Sequence, residues 1–147
     1  MAACKVYTIG YEGLDIEEFV NRLKENCITR LIDIREIPFS RKREFSKSFL
    51  KARMESENIQ YIHLRSLGSP SDIRHKLKGD HDYESFFSAI ACHLDNNEES
   101  LFEAYRLIKD NLSCIMCFER LPEKCHRSSV VEKLKEIDGN GMIVSHI

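Results

Sequence analysis

The sequence predicts an α/β fold: a single three-layer domain over residues 1–147, with a mainly parallel sheet and helices on both faces. Three observations predict it. Residues 29–34 and 112–118 are continuous apolar runs too short for helices, as expected of strands buried on both faces. Residues 15–25 place Ile16, Phe19, Val20 and Leu23 at helical spacing. Strand-like and helix-like segments then alternate along the chain, which argues for right-handed βαβ units.

Residues 4–9 form the first strand, closed by Gly10 and Gly13. Asp15 caps the first helix, and Glu18 three residues on completes a capping box. The second strand, residues 29–34, ends at Asp33, Arg35 and then Pro38. A helix over residues 46–56 and a third strand over 59–64 follow. Residues 65–80 hold Gly68, Ser69, Pro70 and Ser71 with no clear period and predict a long loop, a lid or binding loop by length. Helices over 83–94 and 99–109 lead to the fourth strand, residues 112–118. Pro122 breaks the backbone, and Ser129 with Glu132 makes a second capping box that opens a helix over 129–137. Residues 141–145 form a short closing strand.

Composition sets the class. A chain 42% hydrophobic and 31% charged has the balance of an ordinary globular protein. No apolar run approaches bilayer length, so no membrane partner is expected. Residues 1–5 lead directly into a strand without the apolar core of a signal peptide, and the expected location is cytoplasmic. The six cysteines are then expected to be reduced, with Cys4, Cys27, Cys92 and Cys114 acting as small hydrophobes. The formal charge of −2 is unevenly spread. Residues 35–53 hold seven basic side chains against Glu36 and Glu44, with Phe39, Phe45 and Phe49 interleaved. Residues 95–103 are acidic. A basic face for an anionic partner and a solvated helix face beside a few core phenylalanines are both open readings.

Three strand ends carry polar residues that a buried parallel sheet does not otherwise recruit. In Thr8-Ile9-Gly10-Tyr11-Glu12-Gly13, two glycines permit a tight turn or a close ligand approach, without the three-glycine dinucleotide pattern. In Asp33-Ile34-Arg35 the two charges lie on the same side of a strand. They read either as a structural ion pair or as an arginine that grips an oxyanion and is held by the aspartate. The third end runs from Cys114 through Cys117, Glu119, Cys125, His126 and Arg127. Cys114 and Cys117 form a Cys-x-x-Cys motif, but in a strand they face opposite ways and cannot bridge. Cys117, Cys125 and His126 match none of the usual zinc spacings, so neither metal nor cofactor is expected. Cys125 beside Arg127, near a helix start, suits a reactive thiol. The competing reading has His126 and Arg127 bonded to loop carbonyls or to Glu119, with Cys125 packed inside.

Thr8-Ile9-Gly10-Tyr11, Asp33-Ile34-Arg35 with Pro38 and Ser40, Tyr61-Ile62-His63-Leu64 before Leu67-Gly68, and Cys117 through Cys125-His126-Arg127 resemble the domain of unknown function family 488 (DUF488). The similarity runs along nearly the whole chain, and the Cys-His-Arg ending is its most specific element. The resemblance implies a small prokaryotic α/β domain whose polar residues gather in one pocket. It implies no particular activity.

Three functions follow from these residues. The first is a pocket at the carboxyl edge of the sheet for a phosphate-bearing small molecule, nucleotide or nucleic acid, with catalysis left open. Gly10, Tyr11, Cys117, Arg35 and Arg127 would contact the ligand there. Asp33 or Glu119 would act as base or orienter, His126 as proton shuttle and Cys125 as nucleophile. The second is a non-catalytic nucleic-acid module using the basic segment 41–53, with Arg41, Lys42 and Arg43 on phosphates and Phe45 on a base. The third is a thiol-dependent sulfur or redox enzyme centred on Cys125. The oligomeric state is left open.

Overall fold

Five strands pair in parallel in the computed structural model, which describes residues 4–147. They are β1 (Lys5–Gly10), β2 (Arg30–Asp33), β3 (Gln60–His63), β4 (Ser113–Cys117) and β5 (Ile143–His146). Their order is β3-β2-β4-β1-β5, which puts β4 in the centre. Register aligns Gly10 with Cys117, and Asp33 with both Met116 and His63, so three polar strand ends finish level with one another.

Helices cover both faces, as the sequence predicts. α1 (Ile16–Glu25) and α2 (Lys47–Ser56) carry the chain toward β3 and bury Phe19, Val20, Leu23, Leu50 and Met54 on Ile9, Leu31 and Met116. The opposite face receives α3 (Ser71–Asp80), α4 (Tyr83–Asp95), α5 (Glu98–Asp110) and α6 (Arg127–Asp138). There Ile90, Leu94, Leu101, Ala104, Val130 and Leu134 pack on Val6, Ile32 and Ile115. Connections running toward β3 use one face and those running toward β5 use the other, as a constant crossover hand requires. Each fully buried Leu, Ile or Phe contributes roughly 1.5–3 kcal/mol of transfer free energy. Alternation along β4 sends Cys114 and Met116 to one face and Ile115 and Cys117 to the other, so the Cys-x-x-Cys pair does point apart.

The capping box at α1 is present: Asp15 Oδ1 accepts from the Glu18 N–H at 2.8 Å, and Glu18 Oε1 accepts from the Asp15 N–H at 3.4 Å. Two expectations are corrected. Residues 65–80 are not a long loop but a 3-10 turn (Arg65–Leu67) followed by α3. Ile73 and Leu77, four apart, rest partly buried on the core, while the rest of the helix is polar and hides its period. The last helix starts at Arg127 rather than Ser129, because the N–H groups of Ser129 and Val130 both donate to the His126 carbonyl. Ser129 and Glu132 therefore lie within the helix and cap nothing. No helix among the described residues is long and apolar enough to cross a membrane.

Candidate functional site at the carboxyl edge of the sheet

The chain leaves β4 toward one face of the sheet, while β1 and β2 on either side of it lead to the other. Adjacent strands whose connections diverge leave a crevice at their carboxyl ends, where open α/β sheets bind ligands. Around it sit Tyr11 after β1, Arg35 after β2, and Cys117, Phe118 and Glu119 at the end of β4.

Asp33 is fully buried at the end of β2. Its Oδ1 accepts from the Arg35 backbone N–H (3.1 Å) and Nε (2.9 Å). Its Oδ2 accepts from Arg35 Nη2 (2.7 Å) and the Tyr61 hydroxyl (2.5 Å). These bonds fill the four lone-pair positions of a carboxylate, which leaves Asp33 nothing with which to take a substrate proton. Of its two predicted roles, the geometry fits the orienter. Burial alone would lower the Arg35 pKa, but the Asp33 hydrogen bonds and charge raise it, so the guanidinium stays charged. Burial and the Asp33 charge raise the Tyr61 phenol, which stays a donor. Arg35 Nη1 also reaches the Tyr11 hydroxyl at 3.4 Å.

Arg127 reads from the sequence either as an anion clamp or as a partner of loop carbonyls, and the structure gives it the second role, a backbone staple. It is 1% exposed. Its Nε donates to Thr8 Oγ1 (3.1 Å), Nη1 to Cys117 Sγ (3.1 Å) and to the Glu119 carbonyl, and Nη2 to the Arg120 carbonyl (2.9 Å). The guanidinium thus gathers the turn after β4 and ties it to β1. Gly10, predicted as a ligand contact, serves the same turn. A Cβ added there would overlap the Glu119 carbonyl and fall 2.8 Å from Arg127 Nη1.

The crevice itself is a cavity of about 790 Å³. Arg35, Arg41, Lys42, Arg74 and Lys78 line it, against Glu36 and Glu119. Glu36 is partly engaged, because it accepts from Ser71 Oγ (2.6 Å) and Arg74 Nη2 (3.3 Å). Ile37, Phe39 and Phe118 form an exposed apolar rim, with Phe39 72% accessible. Arg74 and Lys78 were not legible as site residues because the segment that carries them reads as loop. The Ile73–Leu77 spacing and Asp72 in the first turn were the available signal.

The basic segment does not form one surface. Phe45, predicted to stack on a base, is 1% exposed and stacks instead on Tyr11 (centroids 4.5 Å apart, planes at 10°). Arg43 lies over the Phe49 ring at 4.6 Å, and Arg53 is paired with Glu17 at 2.9 Å. Arg41 and Lys42 face the cavity; Lys42 also donates to the Leu14 carbonyl at 2.7 Å.

Cys117, on the cavity floor, and Cys125 behind it are paired as a disulfide with Cα atoms 7.7 Å apart, which corrects the expectation of six reduced cysteines for these two. Their sulfurs and a Glu119 oxygen lie within 4.8 Å of one another, a donor set that suits a metal only when the pair is reduced. The Arg127 guanidinium bonded to Cys117 opposes a second cation there. Desolvation raises the Glu119 carboxyl pKa, outweighing the pull of Arg127. His126 is buried; its Nε2 faces the Ile34 carbonyl at 2.9 Å and therefore carries the proton, leaving the Nδ1 lone pair 3.7 Å from Cys125 Sγ.

Burial pushes the His126 pKa down from 6.5 to about 4, with Arg74 and Arg127 adding to the fall and the Ile34 carbonyl opposing it. An unfolded histidine takes up a proton as pH drops through 6.5, whereas the folded one does so only near 4. Stability should therefore fall on acidification, by about 2 kcal/mol from this group at about pH 5. Glu119, with its raised pKa, works the other way, since the fold holds its proton more tightly. Urea unfolding of wild type and His126→Gln from neutral pH to about pH 5 isolates the histidine part. The variant should lose about 2 kcal/mol of the acid-side decline; parallel profiles would rule out a buried neutral His126.

A family model described as Domain of unknown function DUF488 matches residues 15–134. No curated protein matches the chain, and no solved structure does.

Proposed function

The chain belongs to the DUF488 family, and from that premise and the chemistry of its cavity we propose that it binds a phosphate-bearing small molecule, a nucleotide by size. The observation that carries this reading is the convergence of Arg35, Arg41, Lys42, Arg74 and Lys78 on one cavity at a crossover reversal. A volume of about 790 Å³ lies within the range of small-molecule sites. Arg35, held in plane by Asp33, offers the unused edge of its guanidinium to phosphate oxygens in the fork geometry such groups prefer. Phe39 and Phe118 provide flat apolar surface for a base.

Isothermal titration with inorganic phosphate and the four common nucleoside monophosphates, at low salt, tests the reading. Arg41 and Lys78 are exposed and their removal leaves the core intact. The double variant Arg41→Ala/Lys78→Ala should bind about tenfold more weakly, a loss of roughly 1.4 kcal/mol, with an unchanged melting temperature. Absence of heat with every probe at millimolar concentration would retire the proposal.

A further inference from the structure

Two cysteines eight positions apart meet beneath the cavity, at the point where the turn after β4 folds back on itself. Cys117 lines the cavity floor; Cys125 lies behind it, 1% exposed. Arg127 Nη1 stands 3.1 Å from the Cys117 sulfur, a fixed cation where negative charge on that sulfur would develop. The Cys125 sulfur accepts from the Arg127 backbone N–H at 3.4 Å and lies beside the unprotonated Nδ1 of His126. An inert pair of core cysteines needs none of these partners. We propose that Cys117 and Cys125 are a peroxide-reactive thiol–disulfide couple, with Cys117 the sulfur oxidised first and Cys125 the resolving thiol.

The chemistry balances as two steps. In the first, Cys117 sulfur attacks one oxygen of a hydroperoxide, the O–O bond breaks, and Cys117 becomes a sulfenic acid. The thiol proton passes to the departing oxygen, with the Glu119 carboxyl near enough to relay it. In the second, Cys125 sulfur attacks the Cys117 sulfur and the S–O bond breaks. The Cys125 proton, hydrogen-bonded toward His126 Nδ1, leaves with the hydroxyl as water. Two thiols are oxidised to one disulfide and one hydroperoxide is reduced to an alcohol, or to water when the oxidant is hydrogen peroxide. Cys117 is 0% and Cys125 1% exposed, which favours an oxidant of two or three heavy atoms over a bulky disulfide such as oxidised glutathione.

The test uses the whole protein, and its outcome does not depend on whether the cavity binds phosphate. Reduced protein is treated with one equivalent of hydrogen peroxide near pH 7, then unfolded in denaturant, alkylated and digested. Exposed Cys27 and Cys92 serve as internal references. The expected result is a peptide linking Cys117 to Cys125, formed several-fold faster than oxidation of either reference, and reversed by dithiothreitol. Cys125→Ser should stop at a sulfenic acid on Cys117 that a 1,3-diketone traps. Cys117→Ser should leave Cys125 unoxidised on the same timescale. Oxidation of Cys27 or Cys92 ahead of the pair would overturn the proposal, as would a pair that stays fully alkylatable after peroxide.

Discussion

Asp33→Asn should destabilise the protein by about 3–5 kcal/mol, the cost of leaving one partner of a buried ion pair without the other. Asp33 is fully buried, and Arg35 is 7% exposed. In the variant, the Arg35 charge faces an amide that offers one acceptor where the carboxylate offered two, and an NH2 group turned toward its own donors. The Tyr61 hydroxyl loses its partner as well. Removing both charges is a different experiment. The double change Asp33→Leu with Arg35→Met leaves no orphaned ion and should cost clearly less than Asp33→Asn alone. Guanidinium denaturation of the three proteins decides it. A cost below about 1 kcal/mol for Asp33→Asn would mean that solvent reaches the pair and that Arg35 is not held in position for a ligand.

Gly10→Ala should cost about 3 kcal/mol, the upper end of overpacking penalties. The residue has no unusual backbone angle that would demand glycine; it is the last residue of β1 and pairs with Cys117. What excludes a methyl group is the Glu119 carbonyl, drawn against β1 by Arg127. Alanine must push that carbonyl away and break the staple, or shift β1 out of register with β4. The variant should therefore lose stability and also expose Cys117 to alkylation. Denaturant midpoints together with thiol labelling check both effects. A stable Gly10→Ala protein with a buried Cys117 would show that the turn after β4 is free to relax. Gly13→Ala, at a positive φ of 82° with open space around it, is a control whose cost is backbone strain alone.

The strands were legible because burial on both faces writes itself as short, largely apolar runs: 112–118 contains the five residues of β4. The first helix was legible because its cap and its buried stripe agree. α3 escaped because it buries no residue completely, so its period was lost among charged and polar side chains such as Arg74, His75 and Lys76. The site was legible as a set of strand ends and less so as a set of roles. Arg127 and Arg35 are the same residue type, one after β2 and one at the start of α6. Which of them faces the cavity depends on where the turn after β4 lies. Loop carbonyls are one sequence reading of Arg127, but no local pattern records that those of Glu119 and Arg120 are the ones that fold back onto it. Phe45 misled for a related reason. Its basic neighbours suggested a surface platform, but a 3-10 turn over Arg43–Phe45 rotates that ring inward onto Tyr11 and Phe19. The contact between Cys117 and Cys125 was likewise invisible, because it exists only once the intervening residues have closed their turn.

The central position of β4 also sets the order in which the sheet can be assembled. β1 and β2 never pair with each other, although a single helix separates them; both wait for a strand that begins at Ser113. A nascent chain can pair β2 with β3 soon after His63 emerges. β1, by contrast, must remain without a strand neighbour until β4, which begins at Ser113, has been made. Long-range parallel pairing of this kind slows folding, because the entropy of closing the loop is lost before any contact rewards it. The Arg127 staple comes later still. Its guanidinium can close on Thr8, 119 residues earlier, only after β4 has slotted between its neighbours. The candidate site is therefore among the last parts of the molecule to acquire its shape, and a ribosome-bound or truncated chain ending before β4 has no such site at all.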